Sequence, residues 1–430
     1  MIVREDIKML LQFSVSNYGS IKNEVILSLV PSADREHPEN ILVSGKDRAN
    51  NLIAIYGANA SGKSTLFKAL TNAIIYIRSS NIYQLGQKIP IVPFKFCDGY
   101  ADIPTKFEFI FIADNRQKYI YGFSATAEKI FEEYLYVYNT AKPSMLFERT
   151  GSDFKFSRNQ RSNLQPLTRM NTDNKLFLST ATAWNAECTF VPFKWFAEKI
   201  DTQTSIDTLQ AQALEEYRVN KDENISFVQK LMKQADINIA DVSVETKEIT
   251  GEDSQIPGLT FGGIVLNDQI IRPQNNYKTE VKAGHIITGE NGIKKEYSLS
   301  LQEESLGTIQ LFYFAPILKK TLETGKVLII DELDKSLHPF IVKFLVNLFR
   351  NPDVNQNGAQ LIFTTHDTTL LSLDVFRRDQ IYFTEKDAQT GITDLYSLDD
   401  FAVRKDENIE KGYLLGRYGA IPYLHTEEIV

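Results

Sequence analysis

The spacing Gly57-x4-Gly62-Lys63-Ser64, set between a short apolar run and an amphipathic one, constrains this chain more than any other feature. Asn51-Leu52-Ile53-Ala54-Ile55-Tyr56 reads as a buried strand, and after Thr65 the apolar residues Leu66, Phe67, Leu70, Ile74 and Ile75 recur at helical spacing. A strand, a glycine-rich turn and a helix in that order are the context of a phosphate-binding loop. The glycines let the turn tighten until backbone N–H groups face phosphate oxygens, and the helix N-terminus that follows favours negative charge. Lys63 is expected to reach the β and γ phosphates and the Ser64 hydroxyl to sit on Mg²⁺. Asn59 and Thr65 complete the expected nucleotide-binding set of the loop. The plainer alternative is a glycine turn without a ligand.

Two acids end the apolar run Val327-Leu328-Ile329-Ile330, namely Asp331 and Glu332. A strand ending in a carboxylate is common by itself, but beside a phosphate loop it makes a Mg²⁺ site. Asp331 then holds the metal through its water shell, and Glu332 polarises the attacking water. A further apolar strand, Leu361-Ile362-Phe363-Thr364-Thr365, ends at His366-Asp367. At the carboxyl edge of a parallel sheet His366 is within reach of a ligand and is expected to sense the γ phosphate. Upstream, Glu303-Glu304-Ser305-Leu306-Gly307-Thr308 opens a helix, and by itself Ser305 reads as its N-cap.

Around these motifs the chain reads as α/β. Leu10–Ser20 and Ile21–Val30 suggest a hairpin, and Pro31–Asn50 a polar loop. Between Phe94 and Glu148 the pattern switches to period two, with strands expected at Phe107–Phe111, Tyr119–Ala125 and Tyr134–Tyr138. Residues 195–236 read as helical, with Phe227, Leu231 and Ala235 on one face. Val242 and Val244 alternate as a strand, and Gly251–Asn276 is turn-rich. Later come a helix over Glu304–Lys320, a strand over Lys326–Ile330, a helix over Pro339–Arg350, and strands over Ala359–Thr364 and Gln380–Thr384. Strands separated by helices predict a parallel sheet, interrupted by the middle section.

Composition bounds the class. With 430 residues, 43% apolar, 47 Lys+Arg and 55 Asp+Glu, the chain carries a formal charge of −8, which excludes both general disorder and a histone-like coat for nucleic acid. Cys97 and Cys188 are the two cysteines and lack metal-type spacing, so neither a disulfide framework nor a zinc cluster is expected. Neither a secretory signal at Met1–Lys8 nor a membrane-spanning run is expected, which suggests a cytoplasmic protein.

Taken together, the loop at 57–65, Ser305-Leu306-Gly307-Thr308, Asp331-Glu332, Asp334-Lys335-Ser336-Leu337-His338-Pro339 and His366 resemble an ABC-type ATPase head of the group that includes RecF, SMC and OLD proteins. In that class they correspond to Walker A, signature, Walker B, D-loop and switch histidine. Phe13–Ser20, Glu304–Thr308 and Gly412–Ala420 are similar to AAA-labelled ATPases of the RloA and AbiLii abortive-infection type. The resemblance implies an ABC-type P-loop head with a mixed sheet, an antiparallel β subdomain and a helical lid insert. It divides the chain into an N-terminal half over 1–190, a lid over 191–255 and a C-terminal half over 256–430. It further implies an ATP-dependent homodimer, with higher oligomers open, in which Ser305, Gly307 and Thr308 reach the neighbour's triphosphate while Ser336 and His338 cross the interface. Lys63, Glu332 and His366 would be the catalytic set. No coupling-loop glutamine is assigned, although Gln84 and Gln87 lie near.

The stretch after Thr384 is too short for the Toprim nuclease of OLD-type relatives, so cutting is expected of a separate effector, a nuclease or toxin. Residues 139–176 carry seven basic side chains against three acids, with Phe154 and Phe156 interleaved, which suits either a nucleic acid or a solvated hairpin face. Trp184 and Trp195 read as core or lid packing. The expected function is a Mg²⁺-dependent ATPase that acts as sensor or regulatory scaffold in antiviral defence. The alternative is a RecF-like DNA-maintenance ATPase.

Overall fold

Alternating aromatic residues build the first sheet. In this computed structural model, which describes residues 7–203, 206–248, 264–266, 269–271, 277–288 and 291–422, the chain forms two compact units. The first comprises Met1–Thr204, Thr324–Leu333 and Val346–Val430, and the second Ser205–Glu323 and Asp334–Leu345. The first unit opens with β1 (Met9–Ser16) and β2 (Val25–Ser28), followed by β3 (Ile41–Ser44), β4 (Asp47–Asn50), β5 (Leu52–Tyr56) and α1 (Lys63–Ser79). Then come β6 (Thr105–Ile112), β7 (Lys118–Ala125), β8 (Ile130–Tyr138), β9 (Ser144–Thr150) and β10 (Asp153–Phe156). Helices α2 (Arg161–Leu164), α3 (Phe177–Ala183) and α4 (Glu187–Glu198) lead to β11 (Ile200–Gln203). A seven-stranded antiparallel sheet runs in the order β10-β9-β8-β7-β6-β1-β2. Its buried side carries Phe107, Phe109 and Phe111 at period two, and Trp195 of α4 stacks on Phe111 at 4.2 Å.

The second unit holds α5 (Ile206–Val219), α6 (Lys221–Gln234), β12 (Asp241–Glu248), β13 (Ile264–Leu266), β14 (Gln269–Ile271), β15 (Tyr277–Thr288), β16 (Lys294–Ser300) and most of α7 (Leu306–Thr324). β12, β15 and β16 form an antiparallel sheet. Tyr217 of α5 stacks on Phe312 of α7 at 4.6 Å and donates its hydroxyl to the Phe312 carbonyl.

The chain then returns through β17 (Val327–Ile330), α8 (Pro339–Arg350), β18 (Gln360–Thr364), β19 (Ile381–Lys386), β20 (Thr393–Ser397) and α9 (Ile409–Leu414). A six-stranded sheet in the order β11-β17-β18-β5-β19-β20 is parallel except for β20. β5, β17 and β18 are buried along their whole length, as strands covered on both faces must be, and their apolar runs follow from that. The parallel order brings the carboxyl ends of β5, β17 and β18 to one edge.

Some expectations need correction. Pro31–Asn50 is not simply a loop: β3 and β4 pair as a hairpin through Gly45, whose φ of 58° suits the turn. The helical reading of 195–236 is broken by β11, which pairs in parallel with β17 and is held by Arg78, whose guanidinium donates to the Phe196 and Ile200 carbonyls. Four residues, three of them polar, give no period to read. On α6 the buried face is Asn224, Val228, Leu231 and Met232, with Phe227 at its margin. Most of the turn-rich stretch Gly251–Asn276, and Met1–Asp6, lie outside the described residues. Among the described residues no helix is long and apolar enough to cross a membrane.

Candidate functional site

Between β5 and α1 the backbone makes the turn that the spacing of Gly57 and Gly62 demands. Gly62 has φ 113°, and a Cβ there would lie 2.4 Å from Thr393. At Gly57 a Cβ would meet the carbonyl and hydroxyl oxygens of Thr384 at 2.5 Å. Only glycine fits under both strands. The loop is fastened from outside: Ser61 Oγ and Thr384 Oγ1 share a hydrogen bond of 2.6 Å, and Thr393 Oγ1 lies 2.8 Å from Ser20 Oγ and 3.0 Å from the Ser61 carbonyl. Lys63 folds back on the loop, donating to the Gly57 carbonyl at 2.7 Å and to the Ala58 carbonyl at 3.1 Å. Its ammonium thereby stands at the head of α1, where the first-turn N–H groups have no carbonyl within the helix.

At the end of β17 the two acids are held in different ways. Asp331 Oδ1 accepts the Thr364 hydroxyl at 2.7 Å, and the same hydroxyl accepts the Glu332 N–H at 2.7 Å. Glu332 has φ 55°, an uncommon conformation for a glutamate, and the Leu333 N–H is held by the Thr364 carbonyl at 3.0 Å. Such strain persists where neighbouring bonds over-determine it and aims the side chain out of the strand line. His366 follows β18 and is exposed.

These pieces meet in one cavity of about 470 Å³, lined among others by Asn59, Gly62, Lys63, Ser64, Thr65, Glu332 and His366. Gly57 and Asp331 stand just behind this lining, at the ends of β5 and β17. Ser20 and Gly19 also line it, and sequence reasoning missed their place there although the Asn17-Tyr18-Gly19 turn signal was visible. Among the described residues no group of three or more His, Cys, Asp or Glu gathers to hold a metal ion. A cation at this edge would therefore draw on Ser64, Asp331 and ligand phosphates, a hard oxygen set that suits Mg²⁺.

The remaining nucleotide-binding candidates lie in the second unit. Ser305 Oγ accepts the Thr308 N–H at 3.2 Å and lies 2.9 Å from Thr308 Oγ1, so it caps α7 as the plain reading expects. A Cβ on Gly307 would lie 2.7 Å from the Ser336 carbonyl, so the glycine lets the backbone of the Asp334–Pro339 segment close on the start of α7. His338 is exposed beside Phe340, which is 77% exposed. Glu304 takes His285 Nε2 at 2.6 Å.

The basic stretch over 139–176 divides. Arg149 is buried, 3.8 Å from Glu133, and donates to the Gly151 and Lys175 carbonyls. Burial pushes the Glu133 carboxyl above its ordinary range, against the pull of Arg149 and of the Phe177 and Leu178 N–H groups. Phe154 and Phe156 are half-buried and pack against Phe177 at 5.0 and 5.6 Å. Arg149 thus belongs to the core and cannot face a phosphate backbone, and the two phenylalanine rings are partly spent on packing. Trp195 is buried as expected, whereas Trp184 is 56% exposed. Gln84 and Gln87 do not line the cavity; the segment that does, Val92–Phe96, contains no glutamine.

A family model described as "AAA domain, putative AbiEii toxin, Type IV TA system" matches residues 52–184 and 192–372. No curated protein matches the chain. Among solved structures it is similar to the Smc head domain of Pyrococcus furiosus with an extended coiled coil bound to the C-terminal domain of ScpA, at 12% identity and a TM-score of 0.40, covering 91% of this chain and 96% of that one. It is also similar to the recombination mediator protein RecF with ATP, at 14% identity and a TM-score of 0.38, covering 91% of this chain and 100% of that one. The two matched spans of the family model contain Gly57–Thr65, Ser305–Thr308, Asp331, Glu332 and His366.

Proposed function

We propose, since this chain belongs to that AAA-domain family, that it is an ABC-type, Mg²⁺-dependent ATPase that pairs with a second copy of itself on ATP and serves as the regulatory scaffold of a bacterial antiviral system. The observation that carries the ATPase reading is the shared cavity of Lys63, Ser64, Glu332 and His366. Lys63 would leave the Gly57 and Ala58 carbonyls for the terminal phosphates. Ser64 and Asp331 would hold Mg²⁺, which supplies charge neutralisation on the phosphates. A carboxylate oxygen of Glu332 would take the proton of the attacking water, and His366 would hydrogen-bond the γ phosphate.

Ser305, Gly307 and Thr308 would serve the neighbour's site, with Ser336 and His338 at the interface. Binding would then close a dimer and hydrolysis open it, making ATP a conformational ligand. The antiviral role rests on the AbiEii wording of the family description, and a separate effector, nuclease or toxin, would be the released partner.

Light scattering tests the pairing. Glu332→Gln with ATP and Mg²⁺ should run at twice the 49.0 kDa protomer mass and return to one protomer without nucleotide. A protein that stays at one protomer mass with saturating ATP refutes it.

A further inference from the structure

Three lysines surround the nucleotide cavity where the phosphate loop by itself requires one. Lys63, Lys95 and Lys386 all line it, and Glu332 is the one acid among the lining residues. On a chain of net charge −8 this is a local excess of two positive charges. Neither Lys95 nor Lys386 forms an ion pair among the described residues. Cations left unpaired around a cavity raise the concentration of anions inside it.

Lys95 is delivered by an anchored backbone. The Phe94 N–H donates to Asn17 Oδ1 at 3.0 Å, and the Gly19 N–H donates to the Val92 carbonyl at 2.7 Å. Asn17 Nδ2 further binds the Tyr100 and Ile103 carbonyls at 3.1 and 2.6 Å. Phe94 is buried and anchors the segment, whereas Lys95 next to it is exposed. Lys386 comes from a separate element, the end of β19, and its ammonium lies 5.4 Å from the centroid of the Phe96 ring in a cation–π contact. Its neighbouring acids are engaged elsewhere: Glu385 Oε2 takes the Tyr396 hydroxyl at 3.1 Å, and Asp387 Oδ1 takes the Thr390 N–H and hydroxyl at 2.7 and 2.6 Å.

The geometry points to Lys95 and Lys386 as additional phosphate-binding cations of this site, set so that a nucleoside triphosphate is held in preference to a diphosphate. This rests on the ATP-site reading above. The attraction grows with the charge of the ligand, so each lysine contributes more to a triphosphate than to a diphosphate. Lys95 stands on the segment that lines the cavity in place of a coupling-loop glutamine, and it gives that segment a charge-dependent grip on the ligand.

Titration calorimetry of the full chain with Mg-ATP and Mg-ADP tests it. Lys95→Ala and Lys386→Ala should each weaken ATP by about tenfold and ADP by about threefold or less, the scale of one charge-assisted hydrogen bond. Lys95→Arg should restore most of the ATP affinity, and melting temperatures should stay at the wild-type value. An unchanged ATP-to-ADP ratio in both alanine variants, with wild-type binding that still depends on Lys63, overturns this inference and leaves the ATP site standing. Wild-type protein that binds neither nucleotide overturns both.

Discussion

The Thr364 hydroxyl donates to Asp331 Oδ1 at 2.7 Å. Since the same oxygen accepts the Glu332 N–H at 2.7 Å, one side chain of β18 fixes both acids at the end of β17. Thr364→Val keeps the shape and removes both bonds, leaving the half-buried Glu332 N–H without its acceptor. Turnover should fall by about tenfold or more while ATP affinity changes little, and stability should drop by about 1–3 kcal/mol. Phosphate release at saturating ATP, together with a denaturant titration, reads both; an unaltered rate would show that the bridge does not position Glu332.

Glu332→Gln leaves the strand-end geometry intact and removes the base. Single-turnover phosphate release should slow by about 10² to 10⁴, with ATP still bound. Wild-type rates in this variant would mean that another group takes the proton.

Lys63 already donates to two loop carbonyls, so Lys63→Ala removes the phosphate contact and also frees the Gly57 and Ala58 carbonyls. Fluorescently labelled ATP should show no saturable binding at micromolar protein, while circular dichroism remains that of the folded chain. Retained affinity would mean that the loop does not hold the phosphates through this amine.

Arg149→Met isolates the buried Glu133 carboxylate among Tyr121, Phe177 and Leu178. Removing one partner of a buried pair costs about 3–5 kcal/mol. The unfolding midpoint should fall sharply, and any affinity of the folded protein for DNA should be unmoved. A stability-neutral variant with weaker DNA binding would return Arg149 to the surface role that its sequence neighbourhood suggests.

How far the fold could be read from residues follows from burial. β5, β17 and β18 are buried on both faces, so their apolar runs announce them, and α8 spans Pro339–Arg350 as expected, although its buried residues are Val342, Leu345, Val346 and Phe349. β11 could not be read, because Asp201, Thr202 and Gln203 owe their strand conformation to pairing with β17 and to Arg78, which are tertiary. The contiguous loop and the Asp331-Glu332 pair were legible because the chain itself brings their members together. Ser20, Lys95 and Lys386, which line the cavity, and Thr364, which bonds Asp331, were not, since each comes from a separate segment and none carries a local pattern. Arg149 shows the converse: counting charges along 139–176 cannot reveal that one of them meets Glu133 inside the core.

The composite site is tested most directly by mixing two defective variants. Lys63→Ala disables the loop of its own protomer, and Ser305→Arg disables the turn lent to the neighbour, so each alone should lack ATP turnover. In an equimolar mixture half of the dimers pair the two variants and keep one intact site of two, so turnover should recover to about one quarter of wild type. A mixture as inactive as its parts, or a Ser305→Arg protein that hydrolyses ATP at the wild-type rate by itself, would contradict a site shared between two copies.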